Sequence, residues 1–203
     1  MKKRPATKLR VAQKEETQKR ILEVARAHFE RDGFEGASFR AIAEEAEVAV
    51  GTVALHFTDK RGLLHAALHD DLERAIALCL TRGKRGSLVK RFTEIFEPAY
   101  EYYERRPRLS RTLLETSLFA VSPWRERFAS QAIRVHVRLI EVAEAARARG
   151  EIAPNADVTV LAASVFSFYY MALIGWVQGQ VSTPLVLFRS MVEQHIRGVS
   201  HDD

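Results

Sequence analysis

The stretch SFRAIAEEAEVAVGTVALHF, from Ser38 to Phe57, decides the fold. Serine favours the position just before a helix, because its side-chain oxygen can accept a free backbone N–H. Ile42 and Ala46 follow four positions apart, on one face of a helix that we expect to end near Ala46. Ala43 is small enough for another helix to cross closely. The start of the stretch therefore predicts a short helix that packs against a second one.

The rest of the stretch predicts that second helix. Residues 47–49 form a tight connection in which Val48 is the single large apolar side chain. We expect the next helix to run over about residues 50–57, with Val53 and Phe57 turned toward the core. Two short helices joined in this way are typical of a helix-turn-helix. The outward face of the second helix would then enter the major groove of DNA.

This pattern resembles the N-terminal domain of the TetR family of transcriptional regulators over residues 17–64. The positions that match the family, without a gap, are Ile21, Leu22, Ala25, Phe29, Gly33, Phe34, Ala37, Ser38, Ile42, Ala43, Ala46, Val48, Gly51, Thr52, His56, Phe57, Lys60, Leu63 and Leu64. The resemblance implies an all-α protein with a three-helix, helix-turn-helix DNA-binding head over residues 14–74. It also implies a larger helical body for ligand binding and dimerisation over residues 75–203.

Four positions depart from the family pattern. Glu47 stands where the family usually has glycine, in a turn that we expect to need a left-handed backbone, at a cost of roughly 1 kcal/mol. Ala49 replaces a usual serine, and Ala54 replaces a tyrosine that commonly contacts a DNA phosphate. Leu55 occupies a position that is often polar. These changes weaken the predicted phosphate contacts. They favour apolar contacts from Val50, Ala54 or Leu55 to thymine methyl groups.

The predicted DNA contacts come from the two short helices and the start of the next one. We assign phosphate and base-edge contacts to Ser38, Arg40, Thr52, His56 and Lys60, and close approach to the groove to Val50, Gly51 and Leu55. Lys60 matches a phosphate contact of the family, although a lone lysine is more often only solvated. Arg40 is alternatively a solvated helix residue, and His56 is alternatively a packing residue.

The positive charge of the chain is concentrated at its amino terminus. Residues 1–20 carry eight basic and two acidic side chains, a net charge of +6, so the remainder of the +5 chain carries −1. Residues 1–13 contain Pro5 and no helical apolar stripe, and we predict a flexible basic arm there. Such an arm is either a solvated tail or a segment that follows the phosphate backbone or enters a minor groove.

Helical spacing of apolar residues predicts the other elements. The expected helices cover about residues 15–31, 60–80, 87–103, 107–121, 123–149, 157–177 and 183–199. Asp59 and Ser87 are expected to cap two of them, and Gly33 and Gly150 to end two others. The pattern therefore predicts a chain that is helical from end to end.

The segment from Val158 to Phe188 contains no charged residue, and residues 158–177 are long enough to cross a bilayer. They include serines and tyrosines, however, and lack flanking lysine or arginine anchors. We therefore interpret the segment as a helix buried on every side and not as a membrane span. Together with the last helix it can pair with a second copy as a four-helix bundle. The resemblance likewise implies a homodimer through the last two helices.

The sequence offers no constellation for catalysis. We find no nucleophile elbow, no phosphate-binding glycine loop and no metal-ligand spacing, so we predict a protein that is not an enzyme and has no cofactor or metal. His65 and His69 lie four apart and could share a metal, but solvated or packed histidines are the simpler interpretation. Cys79 is the single cysteine, which excludes an internal disulfide and fits the cytoplasm.

The predicted body is rich in aromatic residues. Most of them are expected to form core, and a subset could line a pocket for a small apolar or aromatic effector, as the resemblance implies. The residues that we predict to line it are Phe96, Tyr100, Tyr103, Thr116, Phe119, Phe128, His136, Phe166, Tyr169 and Tyr170.

These features, together with the family resemblance, predict a ligand-responsive transcriptional regulator. It would bind a palindromic double-stranded DNA operator as a homodimer, act as a repressor and be released by its effector. The alternative is a dimeric ligand- or protein-binding module of the same fold with weak or no DNA binding, which Glu47, Ala49 and Ala54 favour. A third hypothesis, a small helical enzyme, would need an acid and a base that the sequence does not bring together.

Overall fold

The structure, a computed structural model, describes the backbone of residues 5–199 and the side chains of residues 10–198. Within this range every regular element is a helix, which confirms the predicted all-α fold. The helices are α1 (Pro5–Gly36), α2 (Phe39–Glu45), α3 (Val50–His56), α4 (Lys60–Thr81), α5 (Leu88–Glu104), α6 (Pro107–Ser117), α7 (Trp124–Ala148), α8 (Val158–Val177) and α9 (Pro184–Val199).

The helices form two compact units. The head unit comprises the described residues up to Asp70 together with Arg111–Trp124, and the body unit comprises Asp71–Ser110 and the described residues from Arg125 onward. The division falls inside α4, close to the predicted boundary between residues 74 and 75. The sequence did not place residues 111–124 with the head, because nothing in their local pattern indicates which distant helix they pack against.

The start of α1 differs from the prediction. The helix begins at Pro5, so the predicted flexible arm over residues 1–13 is wrong over residues 5–13, while residues 1–4 lie outside the described range. Proline is compatible with a first helical turn, and residues 6–14 are mostly good helix formers. A solvated helix that extends an existing one needs no apolar stripe, because the costly nucleation step is already complete.

The head unit is built around α1, which packs on α2, while α2 packs on α3. The apolar residues predicted to face inward are buried, namely Ile21, Ala25, Phe29, Ile42, Ala46, Val53, Phe57, Leu63 and Leu64. Gly33, with φ of 73°, leaves the helical conformation near the end of α1, as expected for a stop. The helix-turn-helix therefore rests on a small apolar core.

The body unit is centred on α5, which packs against α8 and α9, and these two helices pack against each other. Helix α8 is long and apolar enough, by length and composition, to cross a membrane, and 44% of its most apolar window is buried within the structure. One side, including Leu161, Val165 and Tyr169, is in the core, whereas Val160 and Met171 are exposed. The prediction that α8 is buried on every side is therefore wrong for the single chain, because the helices that pack on α8 cover only part of its surface.

Candidate nucleic-acid interface and effector site

Capping interactions define both ends of α2. Ser38 Oγ accepts the Ala41 N–H at 3.2 Å, as its N-cap role predicts. At the other end, the Val48 N–H donates to the Ala43 carbonyl at 2.9 Å and the Glu47 N–H donates to the Glu44 carbonyl at 3.1 Å. This pair of bonds is a Schellman motif, which ends a helix with one residue in the left-handed conformation. The chain therefore turns sharply into α3.

Glu47 is that left-handed residue, with φ of 52°. Glycine is preferred at this position because a Cβ atom approaches the following carbonyl oxygen when φ is positive. The expectation of a left-handed backbone at Glu47 is confirmed. The turn is held despite the unfavourable residue, since the two capping bonds and the burial of α2 fix its geometry.

Helix α3 presents one side to the core and the opposite side to solvent. Val53 is buried, and Gly51 and Leu55 each lie two positions from it, about 200° around the helix. Leu55 is 80% exposed and Val50 is 46% exposed. A Cβ atom added to Gly51 would meet no atom within 4 Å. The outward side of α3 is therefore open, shallow at Gly51 and apolar at Leu55.

His56, at the end of α3, is partly exposed and packs against the Phe57 ring with centroids 6.1 Å apart. Burial lowers the pKa of His56, and the positive charge of Lys14 lowers it further. The imidazole is therefore neutral near neutral pH and offers one N–H donor and one acceptor. Lys14, on α1, therefore lies close enough to α3 to influence His56.

Lys60, predicted to bind phosphate, has partners within the head. Its ammonium donates to the carbonyls of Glu35 and Ala37 at 3.3 and 3.2 Å and lies 4.5 Å from the centroid of the Phe34 ring. Lys60 therefore ties the start of α4 to the connection between α1 and α2. An ammonium has three N–H donors, so two are used in these bonds.

Two further contacts fix α1 against the other helices of the head. Arg26 donates from Nε and Nη2 to the Ala67 carbonyl of α4 at 3.0 and 2.8 Å. His28 is buried, with Nδ1 3.1 Å from Asp32 Oδ2 and Nε2 2.9 Å from Glu45 Oε2. The contact between His28 Nε2 and Glu45 Oε2 does not have the geometry of a hydrogen bond, so it is an electrostatic contact. Polar contacts thus hold α2 and α4 in position around α1.

The structure brings the predicted DNA-contacting residues together within the head unit. Ser38 and Arg40 are exposed at the start of α2, Thr52 is partly exposed on α3, and Asp59 caps α4 through a 2.7 Å bond from the Gly62 N–H. The described part of the head therefore presents hydroxyl, guanidinium and imidazole groups around the apolar centre of α3.

In the body unit, most of the predicted effector residues form one aromatic cluster. Phe96 stacks on Tyr169 with centroids 4.6 Å apart, and the Tyr100 hydroxyl donates to the Tyr169 carbonyl at 3.4 Å. Phe166 contacts Tyr170 at 5.3 Å and His136 at 6.1 Å between centroids, in each case nearly edge to face. The cluster therefore packs between α5, α7 and α8, with Phe96, Tyr100 and Tyr169 buried and with Phe166, Tyr170 and His136 partly exposed.

Burial governs the chemistry of the tyrosines in this cluster. It raises the pKa of Tyr100, Tyr103, Tyr169 and Tyr170. Tyr103 is also hydrogen-bonded to Tyr169. Their hydroxyls stay protonated at physiological pH, and that of Tyr100 already donates its proton to the Tyr169 carbonyl.

The structure separates two predicted effector residues from the others. Thr116 and Phe119 belong to the head unit, whereas the other eight belong to the body unit. Phe119 is 88% exposed. Thr116 Oγ1 donates to the Thr112 carbonyl at 2.7 Å, so it accepts from His65 Nε2 at 2.8 Å. Thr116 therefore fixes a buried histidine of α4, a contact between distant residues that local sequence does not reveal.

The two histidines considered for a metal pack instead against one aromatic ring. The rings of His65 and His69 both meet Trp124 nearly edge to face, with centroids 5.5 Å apart in each case. Among the described residues, no group of three or more histidine, cysteine and acidic side chains is placed to hold a metal ion.

Sequence reasoning missed Phe188 as part of the aromatic cluster. This residue of α9 is fully buried and meets Phe96 and Tyr100 at centroid distances of 5.0 and 5.7 Å. We assigned the apolar stripe of the last helix to an interface as a whole, whereas one edge of the stripe faces the core of its own chain. A wider apolar arc at Phe188 and Val192 was the available signal.

A surface cavity of about 600 Å³ lies on α8 and α9. It is lined by Phe168, Ser190, Met191, Gln194, His195 and Gly198. None of these belongs to the predicted effector residues. Two of its lining rings, those of Phe168 and His195, meet edge to face with centroids 5.4 Å apart.

Comparisons with known proteins agree with this architecture. The family described as bacterial regulatory proteins, tetR family, matches residues 21–67. The HTH-type transcriptional repressor KstR of Rhodococcus jostii (strain RHA1) is 30% identical over 168 residues, which cover 81% of this chain and 74% of KstR. The HTH-type transcriptional regulator UidR of Escherichia coli (strain K12) is 41% identical over 61 residues. That match covers 30% of this chain and only 31% of the length of UidR.

Solved structures show the same fold at low sequence identity. The transcriptional regulator FadR from Bacillus subtilis, in complex with stearoyl-CoA, has a TM-score of 0.66 at 17% identity and covers 89% of this chain and 98% of that one. Salmonella enterica GusR has a TM-score of 0.59 at 22% identity and covers 89% of this chain and 95% of GusR. The likeness therefore extends through both the head and body units.

Proposed function

The chain belongs to the TetR family of bacterial regulatory proteins, and from this we propose that it is a ligand-responsive, DNA-binding transcriptional regulator that acts as a repressor in the cytoplasm. The observation that carries the proposal is the outward side of α3. It is held by a buried opposite side and a capped turn, and it is open at Gly51 and largely exposed at Leu55. A helix presented in this way can enter a major groove.

The residues around α3 supply the groups that DNA binding needs. The Ser38 hydroxyl accepts one backbone bond and keeps its own proton to donate to a phosphate. Arg40 carries an exposed positive charge, and Thr52 and His56 lie beside the apolar centre of the helix. In this proposal Lys60 acts mainly by holding the head together; its ammonium also lies 4.0 Å from the exposed Glu35 carboxylate, and exchanging that contact for a phosphate adds a DNA contact. Phosphate contacts position the head, and the side chains of α3 read the bases.

We place the homodimer interface on α8 and α9. The outer side of α8 carries the exposed residues Val160, Ser167 and Met171 and the partly exposed Ser164 at helical spacing, and Phe168, which follows Ser167, lines the surface cavity. A second copy would cover this apolar surface as a four-helix bundle. The dimer would present its two α3 helices to successive major grooves, about 34 Å apart, and so select a palindromic operator.

We propose that the effector is a small apolar or aromatic molecule bound at the aromatic cluster of the body. The protonated tyrosine hydroxyls and His136 would supply its polar contacts. Since the rings pack on one another, the effector would have to separate them, which couples binding to a rearrangement. Release from DNA then requires the effector to favour the arrangement that fits the operator poorly. FadR, which shares the fold, was solved with stearoyl-CoA, a ligand with a long apolar chain.

The module without DNA binding remains the second candidate, because specific residues favour it. Ala49 and Ala54 are exposed where polar phosphate contacts would be useful, and Lys60 is largely occupied within the head. The two candidates differ in one measurable property, salt-sensitive binding of duplex DNA.

The test begins by selecting a duplex from a random-sequence pool with the purified full-length protein. Binding of that duplex is then measured by fluorescence anisotropy for the wild type and for Thr52→Ala with His56→Ala. The double variant is expected to lose binding while its helical content and oligomeric state are unchanged. Glu101→Ala with Arg105→Ala, on the exposed surface of the body, is the control and should bind normally.

Two results would overturn the proposal. If no duplex is enriched and the wild type shows no salt-sensitive binding at low ionic strength, the module is the correct candidate. If the double variant binds like the wild type, α3 is not the helix that reads the operator.

A further inference from the structure

Leu55 stands out among the apolar residues of the helix-turn-helix. It is 80% exposed on a helix whose opposite side is buried. Single exposed leucines are common on protein surfaces and need no explanation in themselves. This one lies at the centre of the side that the proposed function assigns to DNA, where an apolar side chain has a specific consequence for base recognition.

The neighbouring glycine shows that this side is kept clear. Gly51 lies one turn before Leu55 on the same line of the helix, and its backbone is helical without a positive φ. An added Cβ atom would meet nothing within 4 Å, so neither backbone conformation nor internal packing requires glycine here. Glycine is also a poor helix former. The space at Gly51 is therefore useful to an external partner that approaches the helix closely.

The chemistry of the major groove selects what Leu55 can contact. Adenine, guanine and cytosine present hydrogen-bond donors or acceptors there, whereas thymine adds a 5-methyl group beside its O4 acceptor. Leucine has no side-chain hydrogen-bonding group. Against the other bases it would bury their hydrogen-bond donors and acceptors without forming hydrogen bonds to them. Against thymine it buries apolar surface on both partners.

We propose that Leu55 reads the 5-methyl group of a thymine in each operator half-site, with Gly51 providing the room for the helix to approach. This inference rests on the proposed DNA-binding function. It chooses Leu55 over Ala54, whose side chain is a single methyl group, and over Val50, which is less exposed. Leu55 is thereby a residue that determines sequence specificity.

The test removes the thymine methyl group and the Leu55 side chain, first separately and then together. In the duplex selected by the wild-type protein, each thymine of a half-site is replaced in turn, in both half-sites, by deoxyuridine, which lacks only the methyl group. At one position the replacement is expected to weaken wild-type binding by roughly threefold to tenfold per half-site, the range expected for removing one buried methyl group. Leu55→Ala should weaken binding to the thymine duplex by a similar factor, and deoxyuridine at that position should then have no further effect.

A matched control is Leu78→Ala, which truncates another exposed leucine on α4. This variant should show the same deoxyuridine penalty as the wild type. Circular dichroism and thermal melting of Leu55→Ala should match the wild type, because the side chain makes little contact with its own protein.

The outcomes separate this inference from the proposed function. If a duplex is selected but no thymine is sensitive to loss of its methyl group, the assignment of Leu55 is wrong and DNA binding stands. The same holds if the deoxyuridine penalty persists in full in Leu55→Ala, since another residue then reads the methyl group. If no duplex is selected, both the proposed DNA-binding function and the assignment of Leu55 are wrong.

Discussion

At the scale of single residues, Glu47 shows how the helix-turn-helix tolerates an unfavourable backbone. Its φ of 52° lies in the left-handed region, where a residue with a side chain costs about 1 kcal/mol relative to glycine. The Schellman bonds at Ala43 and Glu44 set this conformation regardless of the side chain. The turn is therefore determined by the helix that it ends.

Glu47→Gly is accordingly expected to raise the free energy of unfolding by about 1 kcal/mol. The measurement is urea unfolding followed by circular dichroism at one protein concentration. Glu44→Gly is the matched control, because Glu44 is exposed within α2 and the same change there should lower stability by about 1 kcal/mol. Loss of stability in both variants would show that Glu47 is not strained.

A second residue, His65, links the stability of the head to pH. Burial lowers its pKa to about 4, against 6.5 for an unperturbed histidine. The folded protein therefore keeps His65 neutral where the unfolded chain binds a proton. The stabilisation is complete above about pH 6.5 and is lost progressively as the pH falls toward 4.

We expect this loss to be on the order of 2 to 3 kcal/mol. His65→Gln is the comparison, because glutamine can still donate to Thr116 but does not titrate. Unfolding of both proteins at pH 7.5 and pH 4.5 should show a smaller decrease in stability for His65→Gln. Equal decreases would mean that His65 is accessible to protons in the folded state.

At the scale of elements, the sequence predicted those helices whose limits depend on neighbouring residues. The bounds of α2 and α3 follow from the cap at Ser38 and the turn at Glu47, which are local interactions. The start of α1 was missed because a solvated extension needs no apolar face. The place of Thr116 was missed because its partner, His65, lies far away in sequence. Local chemistry sets the ends of helices, and long-range packing determines which residues share a site.

The extension of α1 changes how the basic amino terminus would contact DNA. Arg10 and Lys14 are exposed on a helix, and Lys14 is near enough to His56 to lower its pKa. A helix holds these charges in place, whereas a flexible arm would have to be ordered on binding. We therefore expect them to contribute directly to phosphate contacts of the proposed function.

Arg10→Gln with Lys14→Gln should lower DNA affinity and flatten its dependence on salt. The slope of log affinity against log salt concentration should decrease in magnitude by about 0.9 for each phosphate that is no longer neutralised. Arg105→Gln with Arg108→Gln removes the same charge from exposed positions of the body and should leave the slope nearly unchanged. An unaltered slope in the Arg10 and Lys14 variant would mean that the start of α1 is only a solvated helix.

At the scale of the whole molecule, the uncharged helix α8 has two different sides. Its inner side packs into the core, and its outer side exposes Val160 and Met171 at 58% and 55%. An apolar helix left half exposed favours association, because covering that side removes apolar surface from water. A symmetric pairing of α8 and α9 with a second copy is the arrangement that the proposed palindromic operator also requires.

Met171→Glu tests this pairing at its expected centre. Each symmetric interface would receive two carboxylates in an apolar environment, so we expect dimer dissociation to become at least about a hundredfold more favourable, or roughly 3 kcal/mol. Sedimentation equilibrium measures this directly. The monomers should keep their helical content, because Met171 is exposed in the single chain. They should also bind the selected palindrome weakly, since each monomer holds only one half-site.

Val137→Glu, at an exposed position of α7, is the matched control and should remain dimeric. If Met171→Glu forms dimers as tightly as the wild type, the interface lies on another surface.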